Sequence, residues 1–278
     1  LHLIKDSSNY SQSKRKKIGI VGFGFVGKAV SQLQSKFDVE IYDPHVETYK
    51  DNMKAFSQDV VFVCVPTPSG PDGNLDISIV ESSARKWREL KTEKSVLVIK
   101  STIPIGTTER LKKELATENI VHNPEFLTER TAMEDFLNPV EVIVGGAPSA
   151  SHIVLDVYKK FYGKKAIHYF DTPSQDAEMI KMARNSFYAL KVSFFNEVYE
   201  LCNAIGTDYD EFKNLFTLCG SHPWIGNQHV SVPGPDGKLG FGGKCLPKDA
   251  EGLLKIAEEH GIIMKTLKAA VSANKDRR

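Results

Sequence analysis

The strongest constraint on this chain's fold is an apolar strand that runs straight into a glycine-rich turn. Lys17-Ile18-Gly19-Ile20-Val21 reads as the strand, Gly22-Phe23-Gly24-Phe25-Val26-Gly27 as the turn, and a helical pattern follows. The glycines have separate tasks: Gly22 permits the tight turn, Gly24 lets the backbone approach a pyrophosphate, and Gly27 lets the helix pack closely on the strand. A helix beginning at Phe25 and Val26 would aim free N–H groups at that anion. A second strand ends in Asp43, at about the offset of an acid that bonds ribose hydroxyls. A carboxylate there would repel a 2′-phosphate, so the expected cofactor is NAD rather than NADP. A bare Gly-x-Gly-x-x-Gly is weak evidence alone, and a glycine turn without a ligand, or a site for another nucleotide, stays open at this point.

The pattern downstream predicts an α/β fold: a Rossmann-type doubly wound parallel sheet, then a small all-helical domain. Apolar runs at Ile18–Val21, Val39–Tyr42, Val60–Val65, Val96–Lys100, Ile120–His122 and Val140–Val144 read as strands, with Ala166–Phe170 as a further edge strand. Helical patterns at Gly27–Lys36, Ile77–Leu90 and Thr107–Leu115 lie between them, and such alternation implies a parallel sheet covered on both faces. After Thr172-Pro173 the character changes. Ser174–Ile205 is one long helical pattern with Ser174 as the expected N-cap, and helices are expected at Tyr209–Leu218, Asp249–His260 and Ile263–Lys275. The expected division is therefore a polar, mobile leader over 1–16, a dinucleotide-binding domain over 17–172, and a helical domain over 173–278 that binds substrate and dimerises.

Composition excludes several classes. A net charge of +1 gives no argument for a nucleic-acid or membrane partner, and no apolar run is long enough to span a bilayer. The four cysteines, Cys64, Cys202, Cys219 and Cys245, show neither disulfide-like spacing nor a Cys-x-x-Cys pair. A reduced, cytoplasmic setting is expected, with no metal site. Cys64 and Cys202 read as core residues, and Cys219 is unassigned.

Cys245 is different. It sits in Gly240-Phe241-Gly242-Gly243-Lys244-Cys245-Leu246-Pro247-Lys248-Asp249, with glycines on one side and a cation and a carboxylate on the other. A nearby cation favours the thiolate, the nucleophilic form. A nicotinamide site plus such a thiol suggests oxidation through a thioester, which would carry an alcohol past the aldehyde to an acid. Three further segments carry candidate chemistry. Ser101-Thr102-Ile103-Pro104-Ile105-Gly106 follows a strand, where Thr102 could bond a water or the cofactor, or a hydroxyl could simply cap a helix. Glu125 and Glu129, four apart in Asn123–Glu129, would share a face if that segment is helical, for acid–base work or for capping. Lys181 and Asn185 share a face of the long helix, where a buried lysine could stabilise an oxyanion or act as a base with a lowered pKa, and an exposed one would be a solvated charge. The Val232–Gly243 loop could wrap a phosphate or sugar, or serve as a linker.

These motifs occur together in one order, and the set resembles the UDP-glucose 6-dehydrogenase family, within the broader UDP-glucose/GDP-mannose dehydrogenases. The resemblance rests on Gly22–Gly27, Cys64-Val65-Pro66-Thr67-Pro68, Ser101–Gly106, Pro124–Glu129, Lys181 with Asn185, and Gly240–Asp249. It implies two successive oxidations of a sugar C6 by NAD, with Cys245 as nucleophile. Lys181 and Asn185 would be oxyanion donors, and Asp249, Thr102 and Glu125 would hold the hydrolytic water. It also implies cofactor contacts from Gly22, Gly24, Phe25, Val26, Gly27, Asp43, Thr67, Ser101, Thr102, Glu129 and Lys248. Substrate contacts would come from Glu125, Phe126, Leu127, Lys181, Asn185, Gly237, Leu239, Phe241 and Gly242. UDP-glucose or a related nucleotide sugar is the implied substrate, and a homodimer the implied assembly. Three departures stand out: the usual third domain is not expected before Arg278, Trp224 precedes Ile225-Gly226 where arginine is common, and Arg130 follows Glu129 where glycine is common. Competing readings are another sugar such as GDP-mannose or a UDP-N-acetylhexosamine, a non-catalytic binder, and a one-step hydroxyacid dehydrogenase that would work without Cys245.

Overall fold

The computed structural model describes residues 15–70 and 72–278. Most of the leader expected over 1–16 therefore lies outside the described residues. Seven strands form one sheet: β1 (Lys17–Val21), β2 (Asp38–Tyr42), β3 (Val60–Val63), β4 (Val96–Ile99), β5 (Ile120–His122), β6 (Glu141–Gly145) and β7 (His168–Thr172), in the order β2-β1-β3-β4-β5-β6-β7. β1 lies between β2 and β3, so the chain reverses direction across the sheet there. Ligands in open α/β sheets bind at such a point, beyond the carboxyl ends of the strands.

The sheet is mostly, not wholly, parallel. β6 runs antiparallel to β5 through the pair His122–Gly145, and β7 then runs parallel to β6. The expected parallel sheet is corrected at this edge: α4 (Ala132–Leu137) is a short extra helix, and the segment leaving it enters β6 from the other end. β3 and β4, at the centre of the sheet, are apolar at every position because both faces are covered. One face packs on α1 (Phe25–Val30), α4 and α5 (Pro148–Tyr162), with Phe136, Tyr158 and Phe161 at its centre. The other packs on α2 (Ser78–Leu90) and α3 (Thr107–Glu114) around Trp87, Ile99 and Leu111.

The helical part consists of α6 (Ser174–Ile205), α7 (Tyr209–Phe216), α8 (Leu246–Glu259) and α9 (Lys265–Arg277). Met182 and Ala189 of α6 pack with Leu253 of α8, Leu267 and Val271 of α9, and Phe241 of the loop before Cys245. Two helix starts differ from expectation. Ser174 is inside α6, where its hydroxyl donates to Glu109 (2.6 Å), and Pro173 takes the cap position. α8 begins at Leu246, three residues earlier than expected, with Pro247 in its first turn. Proline is favoured there because the first N–H groups of a helix have no partner to lose.

Candidate active site

The glycine turn has the shape its sequence predicts. Gly22 has φ +91°, and a Cβ there would lie 2.7 Å from the Cys64 carbonyl oxygen. Only glycine takes that conformation at no steric cost. Gly27 presses against Gly22, while a Cβ on Gly24 would meet nothing within 4 Å. Gly24 thus leaves an open cradle in front of α1. Asp43 accepts hydrogen bonds from Phe23 N (2.7 Å) and His45 N (2.8 Å), which fixes its carboxylate beside that cradle. α1 is shorter than expected, because Ser31–Ser35 tightens into a 3-10 turn. The open cradle, the uncapped helix start and the fixed carboxylate fit a dinucleotide pyrophosphate and ribose.

Beyond β4, the Ser101 hydroxyl donates to the Val65 carbonyl (2.6 Å), tying this loop to the Cys64–Pro68 segment. Thr67, in that segment, and Thr102, next to Ser101, are both buried. α3 is not capped by a Ser or Thr hydroxyl. Glu178 of α6 reaches across instead, accepting from Gly106 N (2.5 Å), Thr108 N (2.8 Å) and Thr108 Oγ1 (2.6 Å). Burial raises the pKa of Glu178, opposed by those same hydrogen bonds.

Around Cys245 the structure assembles a charged cluster. Lys181 is 3% exposed, and its Nζ donates to the Glu125 carbonyl (2.6 Å) and Glu125 Oε1 (2.9 Å). Burial acts against both charges, but each partner overrides it for the other: Lys181 is held above its usual pKa and Glu125 below its own. The sequence-based option of Lys181 as a base with a lowered pKa is corrected, since a lysine paired with a buried carboxylate stays charged. An ammonium has three donors, so one remains for a ligand. Asn185 Nδ2 donates to Asp249 Oδ2 (2.5 Å), and Lys248 Nζ donates to Asp249 Oδ1 (2.5 Å). Asp249 is wholly buried and anchors both neighbours. It also joins the first turn of α8 through its N–H to the Cys245 carbonyl (2.9 Å).

Cys245 is half-buried at the N-cap of α8. Burial pushes its thiol pKa up; Lys181 and Lys248 oppose this, while Asp249 and Glu125 add to it. The expectation that a neighbouring cation leaves the free thiol acidified is therefore corrected: desolvation and two carboxylates outweigh the lysines.

Other expected residues separate. Residues 123–128 form no helix, so Glu125 and Glu129 share no helical face; Glu125 is buried on Lys181 and bonded by Leu127 N (2.7 Å), whereas Glu129 is exposed. The Phe126 ring lies under Lys181 and Arg184. Gly237 is at the exposed tip of the 232–243 loop, which is closed by a Gly234 N–H bond to the Lys238 carbonyl (2.8 Å). Leu239 packs against the Phe195–Tyr209 cluster, and Phe241 turns its side chain into the helical core. Phe241 thus offers no side chain to a ligand, contrary to its expected substrate contact. Gly242 is half-buried.

Sequence reading missed a second buried layer. Lys100, at the end of β4, donates to Asn123 Oδ1 (2.9 Å), and Tyr158 OH donates to the same oxygen (2.6 Å). Burial pushes Lys100 down to about 8, and Cys64 beside it up to about 12. A lysine ending an apolar strand was the available signal. Among the described residues there is no group of three or more His, Cys, Asp or Glu fit for a metal, and no helix long and apolar enough to cross a membrane. A cavity of about 500 Å³ lies elsewhere, between Lys112, Pro148 and Ser174, and none of the expected site residues lines it.

A glycine-turn sheet joined to a helical unit that carries a thiol in a charged cluster defines a dehydrogenase-type, dinucleotide-binding fold. The chain belongs to the UDP-glucose/GDP-mannose dehydrogenase family: residues 44–162 match its NAD-binding domain and residues 175–276 its central domain. The first match begins after the glycine turn, whose own open cradle and fixed Asp43 carboxylate fit a dinucleotide. UDP-glucose 6-dehydrogenase of Rhizobium meliloti is 33% identical over 242 residues, covering 83% of this chain and 53% of that protein. An uncharacterized protein of Methanocaldococcus jannaschii is 39% identical over 69% of this chain and 21% of its own length. The structure of a UDP-glucose dehydrogenase from Pyrobaculum islandicum aligns with TM-score 0.80 at 29% identity, over 97% of this chain and 70% of that one. The chain thus spans about half the length of the UDP-glucose 6-dehydrogenase it matches. NAD is the cofactor of the matched domain.

Proposed function

We propose that this chain carries the NAD-binding and thiol-bearing parts of a nucleotide-sugar 6-dehydrogenase that converts UDP-glucose to UDP-glucuronate. The carrying observation is Cys245 at a helix N-terminus within electrostatic reach of the buried Lys181–Glu125 pair and of Asp249, which Asn185 holds. NAD, when bound, accepts a hydride in each of two oxidations. The residues at the glycine turn, with Asp43, would hold its pyrophosphate and ribose. Thr67, Ser101, Thr102, Glu129 and Lys248 would complete its site.

The chain's own chemistry follows from the cluster. The C6 alcohol gives up a hydride and its hydroxyl proton to become an aldehyde. The Cys245 thiolate adds to the aldehyde carbon, and the oxygen takes a proton, giving a thiohemiacetal. Loss of a second hydride and that proton leaves a thioester. Water held by Asp249, Thr102 and Glu125 attacks the carbonyl, the C–S bond breaks, and the thiol is restored as the carboxylate forms. Lys181 through its free N–H and Asn185 through its second N–H would stabilise the oxyanions, as fixed donors aimed at developing charge. α8 would favour the thiolate at its N-terminus once substrate and cofactor bind. Phe126, Leu127, Gly237, Leu239 and Gly242 would line the sugar and diphosphate, with Phe241 anchoring the loop.

A homodimer is part of this proposal. Phe187, Phe194 and Leu201 are spaced seven apart along α6, and all are exposed. An apolar stripe of this kind suits a second copy. A different nucleotide sugar is the second reading, because Trp224, 92% exposed, stands where an arginine is common in the family. The test is NADH yield with limiting UDP-glucose and excess NAD. Two NADH per sugar supports the double oxidation. One NADH, unchanged in Cys245→Ser, would point to a single-step enzyme, and none would point to another sugar or to a binding role.

A further inference from the structure

The loop that delivers Cys245 is gripped by two buried amides that the motifs do not include. Asn274, on α9, faces the peptide groups of Phe241: Phe241 N donates to Asn274 Oδ1 (2.7 Å), and Asn274 Nδ2 donates to the Phe241 carbonyl (2.9 Å). Its side chain therefore pairs with the main chain as a neighbouring strand would, donor to acceptor in both directions. One residue earlier, Gly240 N donates to Asn196 Oδ1 (2.8 Å), and Asn196 Nδ2 is held by the Val192 carbonyl of its own helix (2.8 Å). Both asparagines are more than nine-tenths buried. Gly240 has φ +71°, and a Cβ there would collide with Asn274 Oδ1, so the glycine is required by the close approach of the clamp. The Phe241 ring, locked in the helical core, supplies a third point of attachment. Three residues, Gly242, Gly243 and Lys244, then lead to Cys245.

We propose that Asn274, with Asn196, is a positioning residue for the Cys245 thiol: it holds the Gly240–Phe241 peptides so that the following glycines present the thiol, half-buried, to the Lys181–Asp249 cluster. The inference rests on the reading of Cys245 as the nucleophile. Only an amide serves here. An aspartate at 274 would keep an acceptor for Phe241 N but lose the donor, and would set a carboxylate against the Phe241 carbonyl; an alanine would leave two buried peptide groups unpaired.

Iodoacetamide labelling read separately at each cysteine tests this, with exposed Cys219 as the internal reference. In folded Asn274→Asp and Asn274→Ala, loosening the loop relieves the burial that holds the thiol pKa up. The Cys245:Cys219 rate ratio at neutral pH is expected to rise about tenfold, as an apparent pKa lower by about one unit implies. A purely structural asparagine would lower the melting temperature and leave the Cys245 pH profile unchanged. An unchanged ratio and profile in either folded variant would overturn the proposal. Hydrogen exchange on the wild-type chain gives a readout independent of any variant: Gly240 and Phe241 amides should exchange about 100-fold more slowly than those of Gly243 and Lys244. Equal rates across the four would overturn the clamp even if both variants failed to fold. None of these measurements uses sugar or NAD. A chain without NADH yield but with the expected labelling change would refute the function alone, and the converse would refute the clamp alone.

Discussion

Glu125→Gln tests the charge logic of the site most directly. Glu125 and Lys181 form an ion pair in which both side chains are less than a tenth exposed. Removing one partner of such a pair strands the other charge, which costs about 3–5 kcal/mol. Glutamine keeps an oxygen that can accept from Lys181 Nζ, so the lower end, about 3 kcal/mol, is expected. For a chain of this size that is a fall of about 5–6 °C in melting temperature. The pH dependence adds a second check. Glu125 has a depressed pKa in the folded chain, so its contribution is present above the unfolded carboxylate pKa and fades as pH falls through the folded value. Lys181 is raised, so its contribution is present below the unfolded lysine pKa and fades as pH rises through the folded value. The difference between wild type and Glu125→Gln should therefore be flat from about pH 6 to 9 and shrink below about pH 4. Urea unfolding at several pH values measures it. A difference under about 1 kcal/mol at pH 7, the range of exposed pairs, would show that the pair is solvated and refute the reasoning.

Four other outcomes follow from the same geometry. Because burial raises the Cys245 thiol, its alkylation without ligands should still accelerate between pH 8 and pH 9, about the ordinary thiol range; a plateau at neutral pH would contradict the balance of charges described here. Gly24→Val, filling open space, should leave the melting temperature of the free chain unchanged but abolish the rise that NAD produces by mass action, and a preserved rise would move the cofactor elsewhere. Glu178→Gln puts an amide N–H₂ toward donors at the start of α3 and should destabilise by about 1–3 kcal/mol in denaturant; a neutral result would mean the cap is replaced by water. Phe194→Asp, in the exposed stripe of α6, should convert the proposed dimer to monomer in sedimentation velocity without lowering monomer stability, and an unchanged sedimentation coefficient would place the interface elsewhere.

Sequence alone determined what depends on neighbours along the chain. The glycine turn was legible because Gly22 and Gly27 are dictated by local backbone geometry, and the strands because both faces of an inner strand are apolar. Lys181 and Asn185 share one face of α6 because a helix repeats every 3.6 residues. Tertiary structure decided what depends on elements meeting from far apart. β6 reverses at the sheet edge because α4 turns the chain, which no periodicity records. Glu125 is the partner of Lys181, 56 positions away, and not of Glu129. Asn185 bonds the buried Asp249 from 64 positions away, and Asn274 reaches back 33 positions to hold the loop that carries Cys245. The thiol's ionisation was least legible of all. Adjacent residues pointed to an acidified cysteine, whereas the folded environment adds desolvation and two carboxylates that local sequence cannot place. Electrostatic balance is a sum over three-dimensional distances and burial, and the sequence supplies the charges without supplying either.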